Sequence, residues 1–515
     1  MNQSRVTAAT RYRELDRFRR PALDRAREMA KLSIPSLMPP EGFNYSQRLY
    51  QPYQDVMPRL NTNLASRLTT AFLPPGQPAF RLGVDPAILM QNGTDTLPPD
   101  VELGLTKTEK IIMGEINRLN WRDGTNTAAL HLLICGNVLE QMLPDNSVRH
   151  YRLDQYVVVR DPAGRMIELI VCEALDRETL PDDLKAMSVP KAPYQSKQAD
   201  TKANTVELYT WAKWDLKAGV WHVQQELGDE IIQSSVGDFK KLPFNALMWA
   251  FVIGEHYGRS KMEEHSGGAM SIEALSKALI DGSAMASRNI TLVRPNAAGG
   301  INLRRRLAQA NNGEVVVANP DDVEPLEFKN SAGMQFVAQH LQTLVQEMSK
   351  SFVALSAAQR QAERVTAFEF RKMVEELEGA LGGVYSRLSG EWMGWRIERL
   401  MTQLAAQKKI PDGLIGRTQP TILTGLEALG REAEVARVST AFQFVQGIPP
   451  EITQAYIKWS ELLTKAFNGL QLPDSVRSDA EAQQIMQQQA AMKAAQAAAP
   501  QLAKAAGDAV NQQGA

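Results

Sequence analysis

Cysteine is nearly missing from this sequence. Its 515 residues hold two, Cys135 and Cys172, with no CxxC pair or other metal-ligand spacing around them. A disulfide framework and a zinc module are therefore excluded, and two buried thiols in a reducing compartment are the expectation. Long apolar runs are missing too: the most hydrophobic stretch, ALMWAFVIG from Ala246, is far too short to span a bilayer. The opening residues, MNQSRVTAATRYRELDRFRRP, lack the apolar core of a secretory signal, so the chain is expected to be made as a soluble intracellular protein. There is no excess of charge of either sign, since 57 Lys and Arg stand against 58 Asp and Glu. Proteins that clamp nucleic acid tightly carry a basic excess, so static DNA binding is disfavoured by the total. The remainder, 44% hydrophobic and 22% charged, is ordinary for a globular chain long enough to build several subdomains.

Catalytic signatures are also lacking. HExxH, GxSxG and GxGxxG do not occur. GEHYGRS, from Gly254, is the nearest thing to a phosphate loop. It has three residues between its glycines where the P-loop has four, and Arg259 where lysine is required. The six histidines are scattered, and His131, on an apolar helical stretch, is expected to be a satisfied core residue. Acidic pairs such as Asp321-Asp322 and Glu375-Glu376 suit exposed faces. No catalytic, cofactor or metal residues are assigned.

What is present is mostly helical pattern around a β-rich middle. Arg5 to Lys31 is a charged helical segment with nine basic and four acidic residues, read as a solvated face. Leu60, Leu64, Leu68 and Phe72 mark a second helix, and further helices are expected over Leu103 to Asn120 and Thr125 to Leu139. From Val148 to Ile253 the chain reads as β, with a hairpin turn at Asp161-Pro162-Ala163-Gly164 and another at Lys217-Ala218-Gly219. Two helices follow, about Ser271 to Ser287 and from Ser331, around a small β-containing insert. In the second, Met334, Val337, Leu341, Leu344, Met348, Phe352 and Leu355 recur every three or four residues, the pattern of a rod about 37 Å long. From Arg288 to Gly313 the insert holds five arginines and no acid, with Arg304, Arg305 and Arg306 in a run at its tip. This is either a solvated loop or a contact for phosphates or an acidic protein. From Ser478 the tail is Ala/Gln-rich.

One further segment, AERVTAFEFRKMVEELEGALGGVYSRLSGEW from Ala362, looks like a single long amphipathic helix. Thr366 and Glu369 form a capping box, and Val365 and Phe370 a hydrophobic staple. An apolar stripe runs from Phe370 to Trp395, with Gly379, Gly383, Ser386, Gly390 and Gly394 opposite it. Each interior glycine costs about 0.8–1 kcal/mol against alanine, which points to close approach by another backbone. The partner is either the same chain or a second copy in a ring.

Several motifs then fall into a known order: SIPSLMP (from Ser33), CGNVL (Cys135), YRLDQYVVVRDPAGR (Tyr151), YGRS (Tyr257), ERVTAFEFRKMVEELEGALGGVYSRLS (Glu363) and PTILTGLEALGR (Pro420). Together they span nearly the whole chain, which resembles the portal, or head-to-tail connector, proteins of short-tailed, podovirus-type bacteriophages of the autographivirus kind. The first dozen residues and the Ala/Gln tail depart from the pattern.

The resemblance implies an α+β, mostly helical portal fold with wing, stem, clip and crown, assembled as a ring of about a dozen copies. It implies a virion protein at one capsid vertex, made in the host bacterial cytoplasm, a conduit for genome packaging and ejection without cofactor or enzyme activity. Expected boundaries are 1–260 for the wing, 261–287 and 331–355 for the stem helices, 288–330 for the clip, 356–365 for a tunnel loop, 366–424 for a long helix and wing return, and 425–515 for crown and tail. Lys350, Arg360 and Arg364 would face DNA. Arg304, Arg305 and Arg306 would dock the motor or tail, and Gly379, Gly383 and Gly390 would pack subunits. Implied partners are further copies of the chain, double-stranded DNA, the terminase large subunit, a tail adaptor, and scaffold, major capsid and internal core proteins. The competing readings are a helical scaffold or adaptor without a channel, and an enzyme acting on nucleic acid, which would need a catalytic metal cluster.

Overall fold

The computed structural model describes residues 6–44, 46–75, 79–84, 99–187, 205–228, 230–286, 291–294, 300–310, 321, 323–325, 331–352, 367–410, 420–424, 438–444 and scattered positions between 459 and 492. In chain order the helices are α1 (Ala8–Leu32), α2 (Val56–Phe72), α3 (Pro99–Arg118), α4 (Trp121–Cys135), α5 (Asp182–Met187), α6 (Lys261–Glu264), α7 (Ser266–Ala286), α8 (Gly300–Gln309), α9 (Ser331–Ser351), α10 (Ala367–Leu381), α11 (Val384–Leu388) and α12 (Trp395–Ala406). The strands are β1 (Phe80–Val84), β2 (Asn137–Met142), β3 (Val148–Tyr151), β4 (Tyr156–Arg160), β5 (Met166–Asp176), β6 (Thr205–Asp215), β7 (Val220–Leu227), β8 (Glu230–Phe239), β9 (Phe244–Met248), β10 (Thr291–Val293), β11 (Val323–Pro325) and β12 (Pro420–Thr424). The chain divides into two compact units, the first comprising Met1–Leu68, Gly124–Gln141 and Arg149–Glu363 and the second the remainder.

At the centre of the first unit is an antiparallel sheet in the order β4-β5-β6-β7-β8, joined by the two expected hairpin turns. Gly164 and Gly219 take φ of +84° and +66° there, the left-handed conformation those turns require. Helix α1 lies on one face, where Ala8, Ala9 and Leu15 pack against Val157, Ile170 and Tyr209. On the other face Leu180, Leu227 and Ile232 form a second cluster.

Polar groups tie α1 down. Buried Glu226 accepts from the Ala8 amide at 2.6 Å, a carboxylate set against the positive end of the helix. Buried Arg19 donates to the carbonyls of Leu153 and Tyr156 at 3.1 and 2.7 Å. Arg11 grips Glu168 through two hydrogen bonds of 3.1 and 2.8 Å. Much of the charge read from sequence as a solvated face is therefore internal wiring, although Arg13, Arg17 and Arg20 are exposed.

The helix expected to run to Leu139 ends at Cys135, and Asn137 begins β2, which pairs with β9. Gly136 ends it with φ +75°, the left-handed state of a helix C-terminal glycine. The apolar run Val138-Leu139 fits either element; what decides is a lock farther along the chain. The Asn137 side chain donates to the Gly258 carbonyl at 2.9 Å and accepts from its amide at 2.8 Å. A Cβ on Gly136 would lie 2.8 Å from the Gly258 carbonyl oxygen, and one on Gly258 would lie 2.7 Å from Met248 Cβ. CGNVL and YGRS thus meet as one structural joint.

The same joint disposes of the phosphate-loop candidate. Tyr257 caps the β4 edge by accepting from the Val158 amide at 3.1 Å, and His256 Nδ1 accepts from the Arg160 amide at 3.1 Å. Arg259 is held between Glu255 and Glu263, the carboxylates that Arg25 also reaches, at 3.7 and 3.1 Å.

In the second unit, Phe72 stacks on Tyr385 at 5.1 Å and meets Trp392 edge-on at 5.3 Å. Buried Arg396 lies over the rings of Trp121 and Trp392, 5.6 and 5.2 Å from their centroids. Strand β1 pairs antiparallel with β12, and the Leu82 amide donates to buried Glu109 at 2.7 Å.

The long glycine-bearing segment is not one helix. Helix α10 stops at Leu381, Gly382 and Gly383 take φ of +56° and +83°, and a π-helical stretch, Ser389–Gly394, separates α11 from α12. Two adjacent glycines adopt left-handed backbone at no steric cost, whereas other residues there lose about 1–2 kcal/mol each. The capping box at Thr366 and Glu369 lies outside the described residues or their described side chains.

Candidate functional site

The surfaces singled out by sequence come from four elements: the α7/α9 pair, helix α8 and the broken segment α10 to α12. Helices α7 and α9 run antiparallel. Gly268 receives the Met348 side chain, whose sulfur would lie 3.0 Å from a Cβ there, and Gly282 receives Met334, whose terminal methyl would lie at 3.3 Å. Both contacts lie on one register, so the two helices stay in step along their length. Of the expected α9 stripe, Met348 and Phe352 are buried, while Met334, Val337, Leu341 and Leu344 are half-buried. Leu355 lies outside the described residues.

The N-terminal half of α7 is tethered. Tyr50 donates to Glu273 at 2.7 Å, and the Tyr53 amide donates to the same carboxylate at 3.0 Å. Lys277 sits 5.4 Å from the Tyr53 ring centroid, and Lys31 of α1 4.8 Å from that of Tyr50. The bond to Glu273 pushes the Tyr50 phenol up to about 12. Sequence reading missed this tether and both glycine notches. Gly268 and Gly282, fourteen positions apart on one helical face, were the available signal.

Lys350 is exposed near the end of α9. Arg360 and Arg364 lie outside the described residues. Arg304, Arg305 and Arg306 are exposed on α8, with Leu303 buried beneath them, so the run is helical rather than the loop expected. β10 and β11 pair antiparallel across the same insert.

Gly379, Gly383 and Gly390 are exposed, and a Cβ built on any of them meets nothing within 4 Å. Packing inside the chain among the described residues therefore does not explain them. Backbone conformation explains Gly383, leaving Gly379 and Gly390 as the open pair.

Among the described residues, no cluster of three or more His, Cys, Asp or Glu side chains has metal-binding geometry, and no helix is long and apolar enough to cross a membrane. His131 is buried as expected, but its Nδ1 has no hydrogen-bond partner, and burial pushes its pKa down to about 4. Burial likewise pushes the Cys135 thiol up to about 12.

The charged and aromatic clusters traced so far join one element to another. The chain belongs to the bacteriophage head to tail connecting protein family, whose sequence model matches residues 5–477. The match begins inside the opening dozen residues that the motifs left out and stops just before the Ala/Gln tail. The chain is 33% identical over 495 residues to the portal protein of Escherichia phage T7, covering 92% of this chain and 90% of that one. It is 31% identical over 505 residues to the portal protein of Enterobacteria phage T3, covering 96% and 92%. Among solved structures, a chain in the neck of an empty gene transfer agent particle is 15% identical over 77% of this chain and 90% of that one, at a TM-score of 0.36. The role is that of a structural connector of the virion, with the α+β, mostly helical fold that the motifs imply.

Proposed function

We propose that about a dozen copies of this chain close a ring at one capsid vertex, through which double-stranded DNA passes in packaging and in ejection. The observation that carries this reading is the α7/α9 hairpin: its helices pack on each other, and most of the remaining surface of both is exposed. A ring gives those surfaces neighbours and a lumen. Segments 261–287 and 331–355 form the stem, 288–330 the clip, 356–365 the tunnel loop, 1–260 and 366–424 the wing, and 425–515 the crown with its tail.

Lys350, Arg360 and Arg364 face the lumen. A channel of about 40 Å faces some two dozen phosphates, and neutralising about ten of them would trap DNA, so sparse cationic rings on a near-neutral chain suit sliding. Arg304, Arg305 and Arg306 dock the terminase large subunit or the tail adaptor. Gly379 and Gly390, with Gly383 beside them, admit the neighbouring subunit. Scaffold, major capsid and internal core proteins are the remaining partners. ATP hydrolysis belongs to the terminase, and the chain itself carries no enzyme activity or cofactor.

Native mass measurement with negative-stain imaging tests the ring. Closed rings of about twelve copies with a central hole are expected. A chain that stays monomeric at high concentration and in the presence of scaffold would overturn the reading in favour of an adaptor without a channel. Arg305→Ala with Arg306→Ala is expected to weaken motor docking while leaving rings intact, and normal packaging by that variant would remove the docking role.

A further inference from the structure

The two outer faces of the α7/α9 hairpin are chemically unlike. Helix α7 exposes Met270, Ile280 and Met285, each at least 41% accessible, and the turns bearing Glu273 and Lys277 are taken up by the Tyr50–Tyr53 tether. On α9, Gln335, Gln339, Gln342 and Gln346 are all exposed and succeed one another at spacings of four, three and four. That spacing puts the four amides on one helical stripe, directed away from the Met334 and Met348 side that seats on α7. Lys350 continues the stripe after four more residues. From Ser331 to Lys350 the helix carries two formal charges, Glu347 and Lys350 itself.

We infer that this glutamine stripe is the surface of α9 that meets the phosphate backbone of DNA in transit, an uncharged hydrogen-bonding rail ending in one cationic ring. The inference rests on the conduit reading and adds to it which helix, and which side of it, lines the passage. The contrast between the faces carries the assignment. Exposed methionine and isoleucine on α7, and Phe336 stacked on His340 to one side of the glutamines on α9, suit burial against neighbouring subunits, whereas an amide stripe is content in water. A primary amide donates to a phosphate oxygen without carrying a charge of its own, so the bond lacks the ion-pair attraction of one from lysine or arginine and releases no counterion. From Gln335 to Lys350 the stripe is about 22 Å long at 1.5 Å per residue. It therefore runs beside roughly a dozen phosphate charges at one per 1.7 Å. Lysines at all five positions would place a cation against a large share of those phosphates on every subunit. The four glutamines keep the surface wetted and leave the duplex free to move.

Site-directed photocross-linking in packaging particles tests this. Cys135 is buried and Cys172 half-buried, so a new exposed cysteine is the preferred labelling position. Gln339→Cys and Ile280→Cys subunits are each coupled to a photoreactive maleimide and built into particles in which packaging is stalled with DNA in place. The expected result is a protein–DNA adduct from position 339 and its loss from position 280. Adducts from 280 and none from 339 would overturn the inference by reversing the two faces. Adducts from neither, in particles that hold DNA, would overturn it by removing this hairpin from the lining. Wild-type particles that package DNA with no portal ring present would instead defeat the conduit reading itself. A second measurement needs no cross-linker: Gln339→Lys with Gln342→Lys is expected to slow packaging at low salt and to recover as salt rises. An unchanged rate at every salt concentration, in particles with intact rings, would also sink the assignment.

Discussion

The sheet body and the α7/α9 hairpin belong to one compact unit but are stabilised in opposite ways. In the body, buried polar side chains are matched to specific partners: Asn137 to both backbone groups of Gly258, Arg19 to two carbonyls, Glu226 to the first amide of α1. In the hairpin the contact is apolar and yielding, two methionines laid over two glycines. A buried polar group without its partner costs about 1–3 kcal/mol, whereas a methionine tip moves aside for much less. The body is thus intolerant of small changes, and the hairpin tolerates them until neighbouring subunits are present. The comparison predicts that the same kind of substitution has opposite weight in the two places.

The largest effect is expected at the Asn137–Gly258 joint. Asn137→Ala leaves a buried amide and a buried carbonyl unpaired and should cost about 3 kcal/mol. Gly258→Ala drives a Cβ to within 2.8 Å of the Ala250 carbonyl oxygen and should be comparably damaging. Thermal unfolding of the purified chain reads both, and a midpoint within a degree or two of wild type would break the comparison.

Next in size is a pH effect at His131, whose pKa in the folded chain is about 4 against 6.5 for the free side chain. The unfolded chain binds a proton in that interval and the folded chain does not, so stability is complete above pH 6.5 and falls as the pH drops toward 4. The loss approaches about 3 kcal/mol, and His131→Phe should flatten it. Denaturation midpoints at pH 7 and pH 4.5 provide the check.

Smaller again, Gly383→Ala at φ +83° should cost about 1–2 kcal/mol by strain alone. The smallest effects belong to the helical glycines. Gly282→Ala sets about 1 kcal/mol of helix propensity against a shift of the Met334 tip and should be nearly neutral. Gly379→Ala, with nothing near its Cβ, should stabilise the isolated chain by up to about 1 kcal/mol. A bulky side chain at Gly379 should leave the monomer folded and block ring closure, which sedimentation would report.

Much of this was legible in the sequence where one period or one turn settled the matter. The stripe of α9 and the turns at Gly164 and Gly219 followed from local pattern. Local pattern failed where a distant residue decided. Val138 and Leu139 suit a helix as well as a strand, and the Gly258 backbone, more than a hundred positions away, chooses between them. The glycines from Gly379 to Gly394 were read by position on an ideal helix, a frame lost once Gly382 and Gly383 turn left-handed. His131 was legible as buried but not as lacking a partner, because a missing bond leaves no trace in composition. The poor fit of GEHYGRS to a phosphate loop was legible, but the role of Arg259 was not, because Glu255 and Glu263 hold it.

The tether from Tyr50 and Tyr53 to Glu273 has a mechanical consequence. A single carboxylate near the start of α7 receives both bonds and Lys277 meets the Tyr53 ring one turn further on, so an axial pull on the helix is passed to the segment after α1 over two adjacent turns rather than shared along a seam. Beyond that fastening the shaft is seated by thioether tips, which give a little under load instead of breaking. In the ring proposed above, such subunits would be stiff where the tether holds the hairpin and compliant along its length.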